Sequence, residues 1–301
     1  MSNAATPRPV AGILWMLAAG LSFVGMTALV KSMGDDMHPI QAAFLRYVFG
    51  LVFLLPAIKP MLQTSLKPRH WQLFALRGVL HAVAVMLWFF AMTQIPLAEV
   101  TAMNYLTPVY VTLGAALFLG EKLAARRLTA VVVALVGAII ILRPGIREVS
   151  PGHLAMLGMT FLMGGSYLLT KRLVNEISPV VIVAQLSIWV TIILTPLAIS
   201  VWTPPQPEDL VLLLIVACFA TAGHYCMTLA LQAAPIAVTQ PATFLQLIWA
   251  TLLGALVFAE PVDIWVVAGG SLILGAVSFI TWREARLNRR AVTPANLQTK
   301  P

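Results

Sequence analysis

Ten apolar stretches of membrane-crossing length follow one another along this chain, with little polar text between them. Runs of about 18–23 apolar residues match a hydrocarbon layer roughly 30 Å thick, since a helix rises ~1.5 Å per residue. The expected spans lie near 11–30, 39–58, 72–94, 97–119, 125–143, 152–170, 178–201, 209–231, 236–258 and 263–282. Only 10% of the residues are charged, against about 25% in soluble domains, so a water-soluble fold is excluded. The reading is an all-α integral membrane protein, with the lipid bilayer as its surroundings.

The net charge of +8 invites a nucleic-acid reading, which the placement of the cations removes. With the N-terminus inside, 14 of the 19 Lys and Arg residues fall on cytoplasmic segments, while only Lys31, Arg143 and Arg147 fall outside and Arg46 and Arg77 lie within spans. Cytoplasmic loops of membrane proteins carry such an excess. The basic balance is therefore a topology signal, with both termini cytoplasmic in a bacterial inner (plasma) membrane and no nucleic acid expected. Cys218 and Cys226 stand eight residues apart on one expected helix, too far along its axis for a disulfide. The first apolar stretch is read as a retained helix, since removing it would break the count of five plus five.

That count matters because the chain repeats itself. Pro96-Leu97-Ala98 and Pro235-Ile236-Ala237 stand 139 residues apart, as do Glu121 and Glu260, while Lys31/Lys171 and Pro39/Pro179 stand 140 apart. Five helices per copy make the second copy start on the opposite face of the membrane, so the repeats are inverted. The expected organisation is a cytoplasmic N-terminus (1–10), a first five-helix module (11–143), a linker (144–151), a second module (152–282) and a basic, disordered tail (283–301).

Polar residues inside the spans are few and patterned. Thr101, Asn104, Tyr105, Pro108 and Thr112 share one face of helix four, and their equivalents Gln240, Thr243, Phe244, Leu247 and Thr251 share one face of helix nine. Taken singly these are helix–helix hydrogen bonders; as a matched pair they suit a solute pathway. Pro108 is expected to kink its span. His81 and His224 fall on equivalent faces of helices three and eight, either as packed neutral side chains or as cavity ligands. Trp88, Trp189 and Trp249 lie deeper than the tryptophans near span ends, and Trp88 and Trp249 could wall a cavity.

Among ionisable groups, Arg77 is placed to snorkel, and Arg46 needs either an ion-pair partner or a substrate. Glu99 fits a helix-start cap, and Glu121 and Glu260 close helices four and nine as interfacial anchors or gate elements. No deep carboxylate pair, P-loop, metal-ligand spacing or nucleophile elbow is present, so neither a cofactor nor enzymatic chemistry is expected.

Phe90-Ala91-Met92, Tyr105-Leu106-Thr107-Pro108-Val109, Leu119-Gly120-Glu121 and Leu142-Arg143-Pro144-Gly145 resemble the first EamA-type module of the drug/metabolite transporter superfamily. Gly223-His224-Tyr225 and Phe244-Leu245-Gln246-Leu247-Ile248-Trp249 resemble the second. The resemblance implies ten transmembrane helices in two inverted five-helix modules around a central cavity, in a family that carries amino acids, nucleotide sugars, vitamins or methyl-donor metabolites. Leu247 where Pro108's equivalent would stand is a departure.

The expected function is secondary transport of a small organic metabolite by alternating access: an amino acid, a vitamin such as riboflavin, or a nucleoside-type metabolite. The expected substrate contacts are His81, Trp88, Asn104, Tyr105, His224, Thr243, Gln246 and Trp249, with Arg46, Glu99, Pro108, Glu121 and Glu260 as gate or structural residues. Two other classes stay open: a membrane scaffold whose polar stripes only glue helices, and a lipid-modifying enzyme, against which the mid-helix histidines argue.

Overall fold

The computed structural model describes residues 9–34, 37–119, 125–146, 148–173, 176–233, 239, 242 and 244–292, and among them the regular structure is helical apart from short turns. The helices are α1 (Pro9–Ser32), α2 (Pro39–Val52), α3 (Ile58–Gln63), α4 (Pro68–Gln94), α5 (Leu97–Asn104), α6 (Thr107–Leu119), α7 (Ala125–Leu142), α8 (Pro151–Leu173), α9 (Pro179–Ser200), α10 (Pro207–Ala233), α11 (Phe244–Val257) and α12 (Ile264–Val292). Proline opens α1, α2, α4, α8, α9 and α10. Its missing N–H is one the first turn leaves unbonded anyway, and its fixed φ suits the helix.

Six helices are long and apolar enough to cross a bilayer: Pro9–Ser32, Pro68–Gln94, Pro151–Thr170, Val180–Ser200, Pro207–Met227 and Ile264–Arg283. Two of the other four expected spans, the second and the fourth, are interrupted. The second is a bent pair turning by 60° near the turn Leu55–Ala57, with Pro56 in that turn and Pro60 in α3 each lacking a backbone N–H. In the fourth, α5 stops and α6 restarts after Tyr105 and Leu106, because Pro108 has no N–H to give to the carbonyl of Asn104. The expected kink at Pro108 is thus a full break. The fifth and ninth contribute the shorter apolar helices Leu128–Leu142 and Leu245–Val257. The basic segment after Arg283, read from sequence as disordered, continues α12 as helix to Val292.

The most extensive helix contacts join α1 to α10, α4 to α8 and α7 to α12, each linking an early helix to a late one. Small residues permit these approaches. A Cβ on Gly137 would stand 2.7 Å from the carbonyl oxygen of Gly269, and one on Gly269 would stand 2.5 Å from that of Gly137, so α7 and α12 touch backbone to backbone. Phe23 and Phe219 lie over Gly223 and Gly25 in the α1–α10 seam, and Leu80 and Leu87 over Gly165 and Gly158 in the α4–α8 seam. One continuous core, containing Phe89, Met92, Met103, Leu106, Met156, Leu194 and Leu247, runs through both parts of the chain.

Candidate functional site: a basic and aromatic interior with tied helix ends

Arg46 and Tyr47 on α2, Arg77 and His81 on α4, Ser166 and Tyr167 on α8 and His224 on α10 gather inside the bundle. His81 Nε2 lies 2.9 Å from the Tyr47 hydroxyl, and Ser166 Oγ lies 3.4 Å from His81 Nδ1. Arg77 stands one turn before His81 on α4, and Arg46 adjoins Tyr47. Arg77 donates from Nη1 to the carbonyl of Ile182 at 2.9 Å, which anchors it to α9 rather than letting it reach the membrane surface as its sequence position suggested. The Arg46 guanidinium lies 4.5 Å over the Tyr47 ring. Its Nε is buried and unbonded among the described residues, as are Arg77 Nε and the indole Nε1 of Trp189. His224 and Tyr167 keep accessible surface. His224 packs edge-on to Phe23 at 5.1 Å.

The two histidines matched in the sequence stand on α4 and α10, His81 against Tyr47 and Ser166 and His224 against Phe23. Asn104 and Pro108 remain exposed at the helix break, while Tyr105 turns inward and bonds the backbone of Leu247 on α11. Trp88 stacks edge-on against Phe89, and Trp249 packs with Val24, Leu97 and Phe258 toward one end of the bundle. Gln246 lies against Gly20, with Cγ 2.9 Å from where a Cβ would stand. Thr243 and Glu121 lie outside the described residues.

The remaining carboxylates are at helix ends. Glu260 pairs with Lys31 (Nζ–Oε1 2.7 Å) and accepts the Leu97 N–H at 2.9 Å. Lys31 also donates to the carbonyl of Ile95 at 2.8 Å. Three chain segments, after α1, between α4 and α5, and after α11, are thereby tied at one point. Glu260 reaches it because α11 ends in a tight turn: the N–H of Glu260 bonds the carbonyl of Gly254 at 3.0 Å, with Ala259 at φ 53°. Gly254 is required here, since a Cβ would collide with the Glu260 carboxylate.

Glu99, read as a helix-start cap, is buried and bonded to His153 on α8, whose Nδ1 faces Ser150. Arg143 pairs with Asp263, and Gln41 bonds Thr203 across the same end. Sequence reasoning passed over Tyr47, Ser166, Tyr167 and the acid-partner roles of Lys31 and His153. Tyr47 was within reach through its neighbour Arg46, and Lys31 through its isolation as a cation beside an apolar run. At the opposite end, His70 Nε2 lies 2.9 Å from Glu176 Oε2. That hydrogen bond, with Arg69 and Lys67 nearby, holds the Glu176 carboxyl below the ordinary carboxylate range.

A separate groove of about 380 Å³ runs between α7 and α12, lined by Thr129, Val133, Ser271, Leu272 and Phe279. Its walls are almost wholly apolar and carry no ionisable group, so it suits an acyl chain better than a polar solute.

Apolar helices enclosing arginine, histidine and tyrosine define an integral-membrane protein with a polar interior. The EamA-like transporter family profile matches twice, over residues 10–143 and 150–282, and the chain belongs to that family, which is of the drug/metabolite transporter type. It is 30% identical over 290 residues to a riboflavin transporter of Vibrio cholerae serotype O1, covering 94% of this chain and 97% of that one. It is 31% identical to a riboflavin transporter of Rhizobium johnstonii, covering 94% and 95%. An S-adenosylmethionine uptake transporter of Rickettsia felis is 23% identical over 96% of this chain and 98% of its own. A solved crystal structure superposes with a TM-score of 0.61 at 17% identity, covering 92% of this chain and 99% of that one, and shares the fold.

Proposed function

We propose that the protein is an inner-membrane secondary carrier of a flavin-like metabolite, working by alternating access between two inverted five-helix modules with both termini cytoplasmic. The observation carrying this reading is the basic and aromatic interior shared by α2, α4, α8 and α10, in a chain whose relatives at 30–31% identity are named riboflavin transporters. S-adenosylmethionine, named for other relatives, carries a sulfonium and an ammonium. The basic cluster would repel both, and the buried carboxylates Glu99 and Glu260 are held at one end by His153 and Lys31.

Alternating access needs an end that closes and an opposite end that closes in turn. The Lys31–Glu260 tie is the closed state of one end. Lys171 and Glu121 stand 140 and 139 residues from those two in the repeat.

The test is counterflow of labelled riboflavin into proteoliposomes preloaded with unlabelled riboflavin. Saturable uptake is expected; folded protein without counterflow would sink the flavin reading, and counterflow of S-adenosylmethionine instead would replace it.

A further inference from the structure

Four buried side-chain atoms lack a partner among the described residues, and all four are donors: Arg143 Nε at a helix end, beside Asp263, and Arg46 Nε, Arg77 Nε and Trp189 Nε1 inside the bundle. Among the described residues Arg46 has no ion pair or side-chain hydrogen bond, and its guanidinium lies over the Tyr47 ring. A guanidinium within a span needs an acceptor or an anion beside it, because burying an unmet charged donor is costly. The carboxylates that could serve are committed elsewhere, Glu99 to His153, Glu260 to Lys31, Asp263 to Arg143 and Glu176 to His70.

The three donors are close in the fold. Arg77 adjoins Gly78, where a Cβ would stand 2.7 Å from Trp189 Cβ, and Arg46 adjoins Tyr47, whose hydroxyl lies 2.9 Å from His81, one turn along α4 from Arg77. His81 is engaged on both ring nitrogens, by Tyr47 and Ser166, and Arg77 Nη1 is engaged by Ile182, which leaves the Arg46 guanidinium as the strongest recognition group still to be met. A guanidinium presents parallel N–H groups to two acceptors in one plane and has no use for a donor or a cation.

We infer that Arg46, backed by Arg77 and Trp189, is the specificity-determining group of the interior site, and that it reads an acceptor-dense edge of the cargo: conjugated carbonyls with ring nitrogens, or an anionic group. This rests on the flavin-like reading and deepens it. The edge is the dione side of the ring system, and the sugar-alcohol chain lies away from the arginine. Cationic solutes are rejected by the same charge.

The experiment measures concentration dependence of riboflavin uptake in proteoliposomes for the wild type, Arg46→Gln, Arg46→Lys and Trp189→Phe, with Arg69→Gln at the exposed end as control. Arg46→Gln should raise the half-saturation concentration at least ten-fold. Arg46→Lys, keeping the charge but not the fork, should fall between, and Trp189→Phe should raise it about three-fold. Lumichrome, which keeps the dione edge, should compete; ribitol and S-adenosylmethionine should not. Unchanged half-saturation in Arg46→Gln, or competition by S-adenosylmethionine equal to that of lumichrome, overturns the inference while leaving flavin transport standing.

If Arg46→Gln fails to fold, Arg46→Lys and Trp189→Phe decide: wild-type values in both overturn it. If the wild type carries no flavin, the proposed function fails and the inference is tested by thermal stabilisation of detergent-solubilised protein. Stabilisation by aromatic carboxylates that disappears in Arg46→Lys supports it, and stabilisation by aromatic amines alone overturns it.

Discussion

Lys31 Nζ stands 2.7 Å from Glu260 Oε1, and through this contact the end of α1 is held to the end of α11. The same carboxylate accepts the backbone N–H of Leu97, and the same ammonium donates to Ile95. Both side chains are largely shielded from solvent, so removing one leaves a charge without its partner. Lys31→Met or Glu260→Gln should each destabilise the closed end by about 1–3 kcal/mol, and the double variant should lose less than the two singles together. Alkylation of cysteines placed near Ile95 reports the opening; equal rates in wild type and variants would show that the pair does not hold this end shut.

Ala259 occupies the left-handed position that ends α11, at φ 53°. The repeat places Gly120 at the equivalent position of the first copy. Ala259→Gly should stabilise the protein by about 1 kcal/mol, because glycine adopts that conformation without the Cβ clash. A thermal unfolding scan in detergent checks it, and a lowered midpoint would contradict the account. Gly254→Ala should act in the opposite sense by displacing the Glu260 carboxylate.

The Glu176 carboxyl is held below its ordinary value chiefly by the His70 hydrogen bond. A folded-state value below the unfolded one means that the contribution is fully present above about pH 4.3. It is lost as pH falls through the lowered folded value. Glu176 is exposed, so the effect is small and salt-sensitive. Cross-linking between the start of α4 and the end of α8 should weaken over that acid range in the wild type, and Glu176→Gln should flatten the dependence; parallel curves would reject the assignment.

Asn104→Ala and His224→Ala probe the face that the two halves share. Each should weaken apparent affinity for the transported solute several-fold, since Asn104 is exposed at the helix break and His224 keeps accessible surface on α10. Tyr47→Phe should cost about 1 kcal/mol of the network holding His81. Uptake kinetics check all three, and unaltered values for both Asn104→Ala and His224→Ala would show that this face is not the pathway.

Hydrophobic run length was enough to read the helices from sequence where a run is uninterrupted, as for α1, α4 and α12. It failed at Pro56 and Pro108, where an apolar composition hides a missing backbone donor that bends one span and breaks another. That His81 and His224 fall on equivalent helices of the two copies was legible because the pattern repeats. Lys31–Glu260 and Glu99–His153 were not, because they join residues 229 and 54 positions apart whose meeting depends on which helix ends converge. Composition identifies charges; only the packing of α1, α5, α8 and α11 decides which of them neutralise one another.

The three seams joining early helices to late ones carry a consequence for synthesis. As the first helices leave the ribosome, the glycine-lined faces of α1 and α7 and the leucine-bearing face of α4 have no mates, since those mates lie on α10, α12 and α8. The early segments must wait in lipid, individually stable but unassembled, until the late ones arrive and thread between them. A ribosome stalled after residue 143 would therefore leave a nascent chain inserted but without its native interior, a substrate for membrane quality control rather than half of a working carrier.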